Sequence, residues 1–571
     1  MIPKAFVFAI TLSVKLCCFC FLASQHTFKT FLQVTVFATG YLNNNHSPCN
    51  MELVPIFNCV LDSLKQNVGT ETFTLGLLVM TVLLLWHYFT ADSNRKRRLC
   101  PPGPWGLPVL GNLLSLGSHP HLSLTKMAKK YGPIFKIHLG QKPVVVLTGH
   151  KIFKQALIRQ ANDFAGRPDF ESFRAIADGK SMAFNTYSLQ WKMQRKIQHV
   201  ALRTFLSGDH LTILEQQISL EAEQLVKCLS GSRHDSDSHI VNPNKYIRYA
   251  VANIICLILF GKRYGSTDET LKRIVTLTER FTKFAGAGNP ADIMPWTKLI
   301  PSVKQRQKEY VELVSDIEAW IEARRIEHER TYHHGLVRDL TDHLVKVLEE
   351  MDKDEMARLQ IDRPRIMKTL SEVFGAGFQT VSQNFRWFIM YMMEYPAVQS
   401  RVQRELDRVI GPDRAPRLAD RPNLPYTQAC IYEILRITSA SPLAVPHSTT
   451  CDTSLNGYFI PKDTLVFVNL WGTNHNEAMF ENPDEFNPDR FMSANGSAFN
   501  RSKSDEVVTF SRGRRRCLGE TLSYIELFLF FSTLLHRCTV QKVDEDQVLN
   551  FKGNYGLSIE PDEHGISVNL R

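Results

Sequence analysis

The chain has 571 residues, of which 44% are hydrophobic and 22% are charged, and its formal net charge is +10. These proportions exclude a disordered or low-complexity chain, and the length allows one large catalytic unit with an appendage. The positive charge suits nucleic acid, anionic lipid or an acidic protein partner, so its position along the chain has to decide. The 12 cysteines follow no regular spacing and indicate neither a zinc site nor a disulfide framework.

The first 100 residues contain two apolar stretches. Residues 5–23 are interrupted by Lys15 and suit either a signal peptide or a span, so the status of residues 1–50 stays open, with Met51 as an alternative start. Residues 73–91 carry no formal charge, and as a helix they would extend roughly 28 Å, which is one bilayer. The basic run Arg95–Arg98 follows directly, which predicts a membrane anchor within residues 51–100 and argues against a nucleic-acid partner.

The prolines of residues 101–108 predict a stiff, extended connector after the anchor. Beyond it, helical periodicity dominates, as at residues 311–330 and 386–410, and the run Val144–Leu147 predicts a short strand. The sequence therefore predicts a mainly α catalytic domain with small β-sheets over residues 101–571, preceded by an N-terminal transmembrane helix.

The most specific pattern is F-x-x-G-x-R-x-C-x-G, formed by Phe510, Gly513, Arg515, Cys517 and Gly519 just before an apolar helical stretch at 521–535. Its glycines allow the backbone to approach a flat ligand, and the cations and the helix N-terminus favour the thiolate form of the cysteine. A thiolate bound to haem iron is one of the few chemistries that need such a pocket, because electron donation from sulfur favours cleavage of the O–O bond.

This pattern resembles the haem-binding loop of cytochrome P450 in full, and the resemblance extends over nearly all of residues 101–571. It implies the P450 fold, a monooxygenase, haem b (iron protoporphyrin IX) with Cys517 as axial ligand, and dioxygen as co-substrate. It also implies electrons from NADPH through NADPH–cytochrome P450 reductase, or from cytochrome b5, and an endoplasmic reticulum membrane location with the catalytic domain in the cytosol. Further matching positions are those for propionate binding, Trp191, Arg195, His447 and Arg515, and those for a buried charge network, Glu433, Arg436 and Arg490.

Glu372, Ala376 and Thr380 fall at i, i+4 and i+8 on a long predicted helix, with Gly375 and Gly377 in its middle. Glycine in a helix costs about 1 kcal/mol relative to alanine. That cost is reasonable if a ligand lies against the backbone, as dioxygen and substrate do in the oxygen-binding helix of P450s.

The P450 pattern has an acid just before this threonine, whereas this chain has Gln379. Thr380 would still stabilise bound oxygen and relay a proton. Glutamine cannot titrate, so the rate and coupling of oxygen activation are in doubt at this position, unless Gln379 only replaces a structural carboxylate.

Within the superfamily, residues 166–169, 288–292, 374–378 and 446–450 are most similar to the animal microsomal aryl hydrocarbon hydroxylases, family 1, and more distantly to steroid 17-alpha-hydroxylase. This resemblance implies a narrow pocket for a planar aromatic or steroid-like substrate. The residues expected to line it are Phe173, Phe281, Glu372, Gly375, Ala376 and Val445. Residues 278–280 depart from the family's asparagine-rich stretch, so a hydrogen bond from there to substrate would be charged or absent.

Other classes fit less well. The glycine pairs at 286–288 and 375–377 lack the third glycine of a dinucleotide-binding loop, and no H-E-x-x-H pattern supports a zinc hydrolase. A haem scaffold without turnover has only Gln379 in its favour. An enzyme that isomerises a peroxide without a reductase is left open, and reductase dependence would separate it from a monooxygenase.

Overall fold

The structure, a computed structural model, describes residues 99–231, 239–265, 268–286 and 288–571. The predicted membrane span at residues 73–91 and the extension at residues 1–50 lie outside these residues. Within the described part of the chain, no helix is both long enough and apolar enough to cross a membrane.

Helices make up most of the described chain. Their bounds are α1 Leu113–Leu116, α2 Pro120–Tyr131, α3 His150–Phe153, α4 Glu171–Ala175, α5 Leu189–Phe205, α6 Gly208–Ser230, α7 Asn244–Phe260, α8 Glu269–Gly286, α9 Pro290–Ile293, α10 Pro301–Glu329, α11 Leu340–Glu350, α12 Lys353–Arg358, α13 Arg363–Glu394, α14 Pro396–Ile410, α15 Pro425–Thr438, α16 Leu470–Asn474, α17 Arg501–Ser504 and α18 Glu520–Arg537.

The strands are short and gather in small sheets. Their bounds are β1 Ile134–Leu139, β2 Lys142–Thr148, β3 His239–Val241, β4 His447–Ser448, β5 Thr453–Leu455, β6 Tyr458–Ile460, β7 Leu465–Asn469, β8 Cys538–Gln541, β9 Asn554–Tyr555, β10 Ile559–Glu560 and β11 Ile566–Leu570. The sheet orders are β1-β2-β7-β4, β3-β11-β8, β5-β6 and β9-β10, with β2 and β7 parallel and the other pairs antiparallel. The predicted strand at 144–147 lies within β2, and the mainly α architecture with small sheets is confirmed.

The long helix α13 is the centre of the core. It begins after Asp362, whose side chain accepts a hydrogen bond from the N–H of Arg365, and Pro364 occupies its first turn, where no backbone N–H is needed. Every residue from Val381 to Met393 is buried, and α13 packs against α7 and α18. This burial fixes the position of the preceding turns, which carry the predicted oxygen-binding residues.

The helical pattern at residues 386–410 is not a single helix, which corrects the prediction. α13 ends at Glu394, Tyr395 has φ −119° and ψ 69°, and α14 begins at Pro396. Proline lacks the N–H that would continue the helix and disfavours the helical conformation in the residue before it. The predicted helix at 311–330 is part of α10, which ends one residue before the pattern does.

The proline-rich segment contains no helix, as predicted, and it and the residue Leu99 before it contact β1 and β6. The N–H of Lys136 donates to the carbonyl of Pro102 at 2.7 Å, and the N–H of Phe459 donates to the carbonyl of Leu99 at 2.8 Å. A Cβ added at Gly103 would lie 1.8 Å from the Lys136 carbonyl oxygen, so only glycine permits this approach. The segment is therefore part of the folded catalytic unit.

Candidate functional site

Close backbone packing shapes the loop that carries Cys517. Gly513 has φ +76°, and a Cβ there would lie 1.8 Å from the carbonyl oxygen of Leu157. The N–H of Cys517 donates to the carbonyl of Phe510 at 3.1 Å, and α18 begins directly after Gly519. Gly513 is thus required for packing of the loop on residues 154–159, and its predicted role beside a flat ligand stays a prediction.

Cys517 is accessible to water although protein atoms surround its thiol on most sides. Burial raises the pKa of the Cys517 thiol, and the N–H of Gly519, Arg195 and Arg516 oppose this effect only in part. The cations and the backbone N–H therefore favour the thiolate form, as predicted, but burial outweighs them when the protein groups are considered alone. A metal ion bound to the sulfur would supply the missing stabilisation of the anion, because coordination deprotonates a thiol.

Three arginines from separate parts of the chain converge near this loop: Arg167, Arg195 on α5, and Arg515. Arg515 donates to three backbone carbonyls, among them that of Met182 at 2.9 Å, and Arg167 also donates to three. Trp191 donates its indole N–H to the same Met182 carbonyl at 2.8 Å. The Trp191 ring centroid lies 4.1 Å from the guanidinium carbon of Arg515 and 5.5 Å from that of Arg195.

The positive charge of this cluster is poorly neutralised by the protein. Burial lowers the pKa of Arg515 to about 8, with Arg167 and Arg195 adding to the effect and Glu372 opposing it. Burial and then Arg195 lower the pKa of Arg167 to about 9. None of the three forms a salt bridge within the described residues. The cluster fits a buried ligand with two carboxylates, which is what the propionates of haem provide.

His447 lies beside the arginines in a neutral state. Its Nδ1–H donates to the carbonyl of Phe164 at 2.7 Å, and burial followed by the charge of Arg167 lowers the pKa of His447 well below its usual value. In this tautomer Nε2 is an acceptor. His447 offers no N–H from Nε2 in this tautomer, and its predicted contact with a propionate stays a prediction.

The predicted charge network is present, and hydrogen bonds connect it to the residues just before the Cys517 loop. Arg436 contacts both carboxylate oxygens of Glu433 at 2.7 and 2.9 Å, and Arg490 donates to the same carboxylate at 2.9 Å. The side chains of Glu433 and Arg436 are fully buried. Arg436 also donates to the carbonyl of Asn474 at 2.9 Å, and the Asn474 side chain accepts from the N–H of Val508 at 3.0 Å, just before the loop.

On α13, Ala376 and Thr380 are exposed to water although most residues around them are buried. The Thr380 hydroxyl donates to the carbonyl of Ala376 at 2.8 Å. A Cβ added at Gly375 would meet nothing within 4 Å, whereas one at Gly377 would lie 2.7 Å from Cδ1 of Ile255. Gly375 therefore leaves open space beside the accessible face, and Gly377 serves helix packing rather than a ligand.

Glu372 does not project freely into a pocket. Its carboxylate accepts from the Ser181 hydroxyl, from the N–H of Ala183 at 2.9 Å and from the side chain of Gln198 at 3.1 Å. Burial raises the pKa of Glu372, and these hydrogen bonds oppose that effect. The residue joins α13 to α5 and the preceding loop, and its predicted place in the lining of a substrate pocket stays a prediction.

Gln379 is also turned away from the accessible face. Its side-chain amide is buried and donates to Glu560 of β10 at 2.5 Å. The side chain of Gln379 thus contacts β10, while the adjacent Thr380 is exposed, and this contact favours the alternative that Gln379 replaces a structural carboxylate.

The predicted aromatic lining forms two separate ring contacts. Phe173 packs on Phe184 with centroids 4.8 Å apart, and Phe281 stacks on Tyr310 at 5.9 Å. Val445 is half-buried, and its carbonyl accepts from Arg167 at 3.0 Å.

In the segment at residues 278–280, Thr278 and Glu279 contact other parts of the protein, whereas Arg280 is exposed. Glu279 forms an ion pair with Arg248 of α7 at 2.8 Å, and the Thr278 hydroxyl donates to the carbonyl of Ile274 within α8 at 2.8 Å. Both side chains are thus engaged inside the protein.

A second group of potential metal ligands lies between α10 and α11. His328, Asp339 and Asp342 place ligand atoms within 4.8 Å of one another. Arg338 already occupies this position, with its guanidinium 2.6 and 2.9 Å from the two oxygens of Asp342 and 3.2 Å from Nε2 of His328. An arginine in this place repels a cation, so the group is an ion-pair cluster.

The sequence profile of the family described as Cytochrome P450 matches residues 101–568. The chain belongs to the cytochrome P450 superfamily. It is 40% identical over 504 residues to Cytochrome P450 1A1 of Limanda limanda, a match that covers 86% of this chain and 95% of the relative. It is 41% identical over 498 residues to Cytochrome P450 1A5 of Gallus gallus, with 86% and 93% covered. These relatives place this P450 in family 1, and it is a haem monooxygenase that uses dioxygen.

Two residues of this P450 were not singled out from the sequence. Arg167 lies between Gly166 and Pro168 in a stretch that was compared with family 1 only as a whole. A basic residue between a glycine and a proline was the signal that could have identified it. Glu560 had no local signal, because its contact with Gln379 spans 181 residues.

Proposed function

We propose that this P450 inserts one atom of dioxygen into a small, planar, hydrophobic substrate of aromatic or steroid-like type. The observation that carries the proposal is the water-accessible but deeply set Cys517, together with the unneutralised arginine cluster. Cys517 would supply the sulfur ligand of haem b, and Arg167, Arg195, Arg515 and Trp191 would hold its propionates. When bound, the haem iron supplies the binding and activation of dioxygen.

Replacement of the sulfur tests this assignment directly. In Cys517→Ser, the reduced CO complex should lose its thiolate-type absorption, since a hydroxyl is a poor replacement for a thiolate donor. Cys451→Ser, which removes an exposed cysteine, is the matched control and should keep the spectrum. An unchanged spectrum in Cys517→Ser would overturn the assignment.

The preference for a flat substrate follows from two features. Gly375 leaves open space beside Ala376, and Phe173 with Phe184 presents an aromatic wall on the segment around α4. Polycyclic arenes, steroids and fatty acids should be compared for their haem spin-state shifts. Arenes should give the largest shift, and Phe173→Ala should weaken it more than Phe281→Ala. A preference for fatty acids would contradict the proposal.

The electrons come from NADPH through a reductase that docks near the Cys517 loop. Arg516 is paired with Glu520 at 2.6 Å, but within the described residues Arg512 and Arg514 have no salt bridge. These two arginines can attract an acidic partner, with a rate that falls as salt screens the charges over about 10 Å. Charge reversal at Arg512 and Arg514 should slow turnover supported by NADPH–cytochrome P450 reductase and spare peroxide-driven turnover. Equal loss in both assays would show that the arginines only maintain the haem site.

The protein is proposed to reside in the endoplasmic reticulum membrane, with an anchor in residues 51–100 and the catalytic domain of residues 101–571 in the cytosol. A second apolar surface supports this placement. Trp105, Leu114 and Leu299 are 76%, 71% and 87% exposed. Their segments meet at Gly140, whose N–H donates to the carbonyl of Leu110 and whose added Cβ would lie 2.6 Å from Cγ of Met294.

Deletion of residues 1–100 tests the domain boundary and the second surface together. The truncated chain should bind haem and should still associate with lipid vesicles, more weakly than the full chain. Leu299→Asp in the truncated chain should reduce the remaining association. A truncated chain that cannot incorporate haem would contradict the boundary.

The alternative of a haem scaffold without turnover rested on Gln379 alone. The hydrogen bond to Glu560 gives Gln379 a structural role, so its presence no longer argues for loss of turnover. Consumption of NADPH in step with product would exclude the scaffold. Activity that needs no reductase would instead identify a peroxide isomerase.

A further inference from the structure

The buried face of α13 holds residues 558–561 by side-chain hydrogen bonds. Gln383 and Trp387 both donate to the carbonyl of Ile559, the latter at 3.0 Å, and Gln383 accepts from the Ser558 hydroxyl at 2.6 Å. These contacts join sequence positions more than 170 residues apart. The position of β10 is therefore set by α13 rather than by its two-residue pairing with β9.

Within this set, the hydrogen bond between Gln379 and Glu560 joins a neutral amide to a charged carboxylate. The amide nitrogen of Gln379 donates to one carboxylate oxygen of Glu560 at 2.5 Å, and the other oxygen lies 3.5 Å from the guanidinium of Arg386. Arg386 also donates to the carbonyl of Pro561 at 2.7 Å. The side chain of Arg386 is 3% exposed and that of Glu560 is 24% exposed. One carboxylate thus accepts from an amide and a guanidinium in a partly buried setting.

The chemistry of this contact determines which residue type fits at position 379. An amide can donate to the Glu560 carboxylate, whereas a carboxylate at 379 would place two like charges within hydrogen-bond distance in a partly buried contact. One of them would have to take up a proton, or the two segments would have to separate. An acid at position 379 is therefore incompatible with the carboxylate of Glu560.

We propose that Gln379 and Glu560 are a matched pair, in which Gln379 acts as a positioning residue that ties β10 to the turn of α13 carrying Ala376 and Thr380. The negative charge at this place comes from β10 rather than from α13. The proposal goes beyond the proposed function, since it concerns the contacts of the chain and not turnover.

The pair is tested by exchange of its two side chains in the haem-loaded full chain. The variants are Gln379→Glu, Glu560→Gln and the double variant that carries both. Glu563→Gln is the matched control, because it removes a 59% exposed carboxylate three residues further along that lies 3.6 Å from Arg248. The first measurement is the apparent melting temperature. The second is hydrogen exchange of the Ile559 amide, which donates to the carbonyl of Ala440 at 2.7 Å.

Gln379→Glu should lower the melting temperature by about 3 °C or more and should speed exchange at Ile559. The double variant should recover both values, because it restores one amide and one carboxylate at the contact, and Glu563→Gln should change neither. The dissociation constant of an arene, read from the haem spectrum, should rise about threefold in Gln379→Glu and return in the double variant, since the same turn of α13 carries Ala376.

An unchanged or improved Gln379→Glu variant would overturn the proposal, and so would a double variant that is no better than the single one. If Gln379→Glu fails to take up haem, the double variant decides: uptake supports the pair, and failure of both overturns it. The proposed function fails separately, through the spectrum of Cys517→Ser.

Discussion

The Cys517 loop and the turn of α13 around Thr380 are both parts of the candidate haem site, and they differ in how sequence determines the role of each residue. In the loop, backbone geometry and fixed charge set the roles, as with the positive φ of Gly513 and the cluster around Arg515. On α13, adjacent residues face different neighbours, with Thr380 exposed and Gln379 buried against Glu560. Residue type specifies a tight loop, whereas the role of a helical residue depends on the element that covers its face.

The largest effect is expected where the loop depends on the buried charge network. Glu433→Ala would leave Arg436 and Arg490 without their shared carboxylate, and breaking a buried ion pair costs about 3–5 kcal/mol. Because Arg436 also contacts Asn474, which holds Val508, the Cys517 loop should shift and haem content should fall. Denaturant unfolding and haem content measure both effects.

The control for this prediction is a surface ion pair. Lys129 and Glu477 are 2.7 Å apart with side chains that are 66% and 71% exposed, so Glu477→Ala should change stability by less than about 1 kcal/mol. Similar losses in the two variants would show that the buried network does not support the loop.

The next effect concerns pH and the helix that follows the loop. Glu526 on α18 is fully buried, neither carboxylate oxygen has a hydrogen-bond partner within the described residues, and burial raises its pKa to about 8. Between the unfolded pKa near 4.5 and this value, the folded state binds the proton and the unfolded state does not. Stability is therefore full below the unfolded pKa and falls as pH rises toward 8, by about 3 kcal/mol at most near pH 7.

Glu526→Gln removes the titrating group. Its unfolding free energy should be flatter between pH 5 and 8 than that of the unmodified chain, with the larger gain at the alkaline end. An identical pH dependence in both proteins would show that Glu526 is solvated or paired in solution.

The same substitution, glycine to alanine, can be made in the Cys517 loop and on α13, and its effect on stability compares the two regions directly. Gly513→Ala adds a Cβ 1.8 Å from the Leu157 carbonyl oxygen at φ +76°, and it should destabilise the protein by about 2 kcal/mol or more. Gly375→Ala meets nothing within 4 Å and should stabilise α13 by up to about 1 kcal/mol while weakening spectral binding of large arenes. If the two variants lose stability equally, the space beside Gly375 is not open.

Local patterns predicted the parts of this molecule that depend on local geometry. The Cys517 loop and the strand at 144–147 were accessible in this way, whereas the charge network of Glu433, Arg436 and Arg490 was predicted from the resemblance to cytochrome P450. The break at Tyr395 was also signalled, by Pro396, but periodicity masked it. The partners of Gln379 and Glu372 could not be predicted, because each contact joins residues more than 170 positions apart and carries no spacing rule.

The smallest change in stability, with a distinct change in chemistry, is expected at Thr380. Thr380→Val keeps the shape and removes the hydroxyl, whose only hydrogen bond within the described residues is to the Ala376 carbonyl in the same helix, so stability should change by less than about 0.5 kcal/mol. If the accessible hydroxyl relays a proton to bound oxygen, product formed per NADPH should fall and hydrogen peroxide release should rise. Ser382→Ala is the matched control on the same helix, because its hydroxyl donates to the Phe378 carbonyl at 2.7 Å but is buried. Coupling should be normal in this control. Equal uncoupling in both variants would mean that the hydroxyls affect coupling through the structure of α13. The exposure of Thr380 would then have no special role in proton transfer.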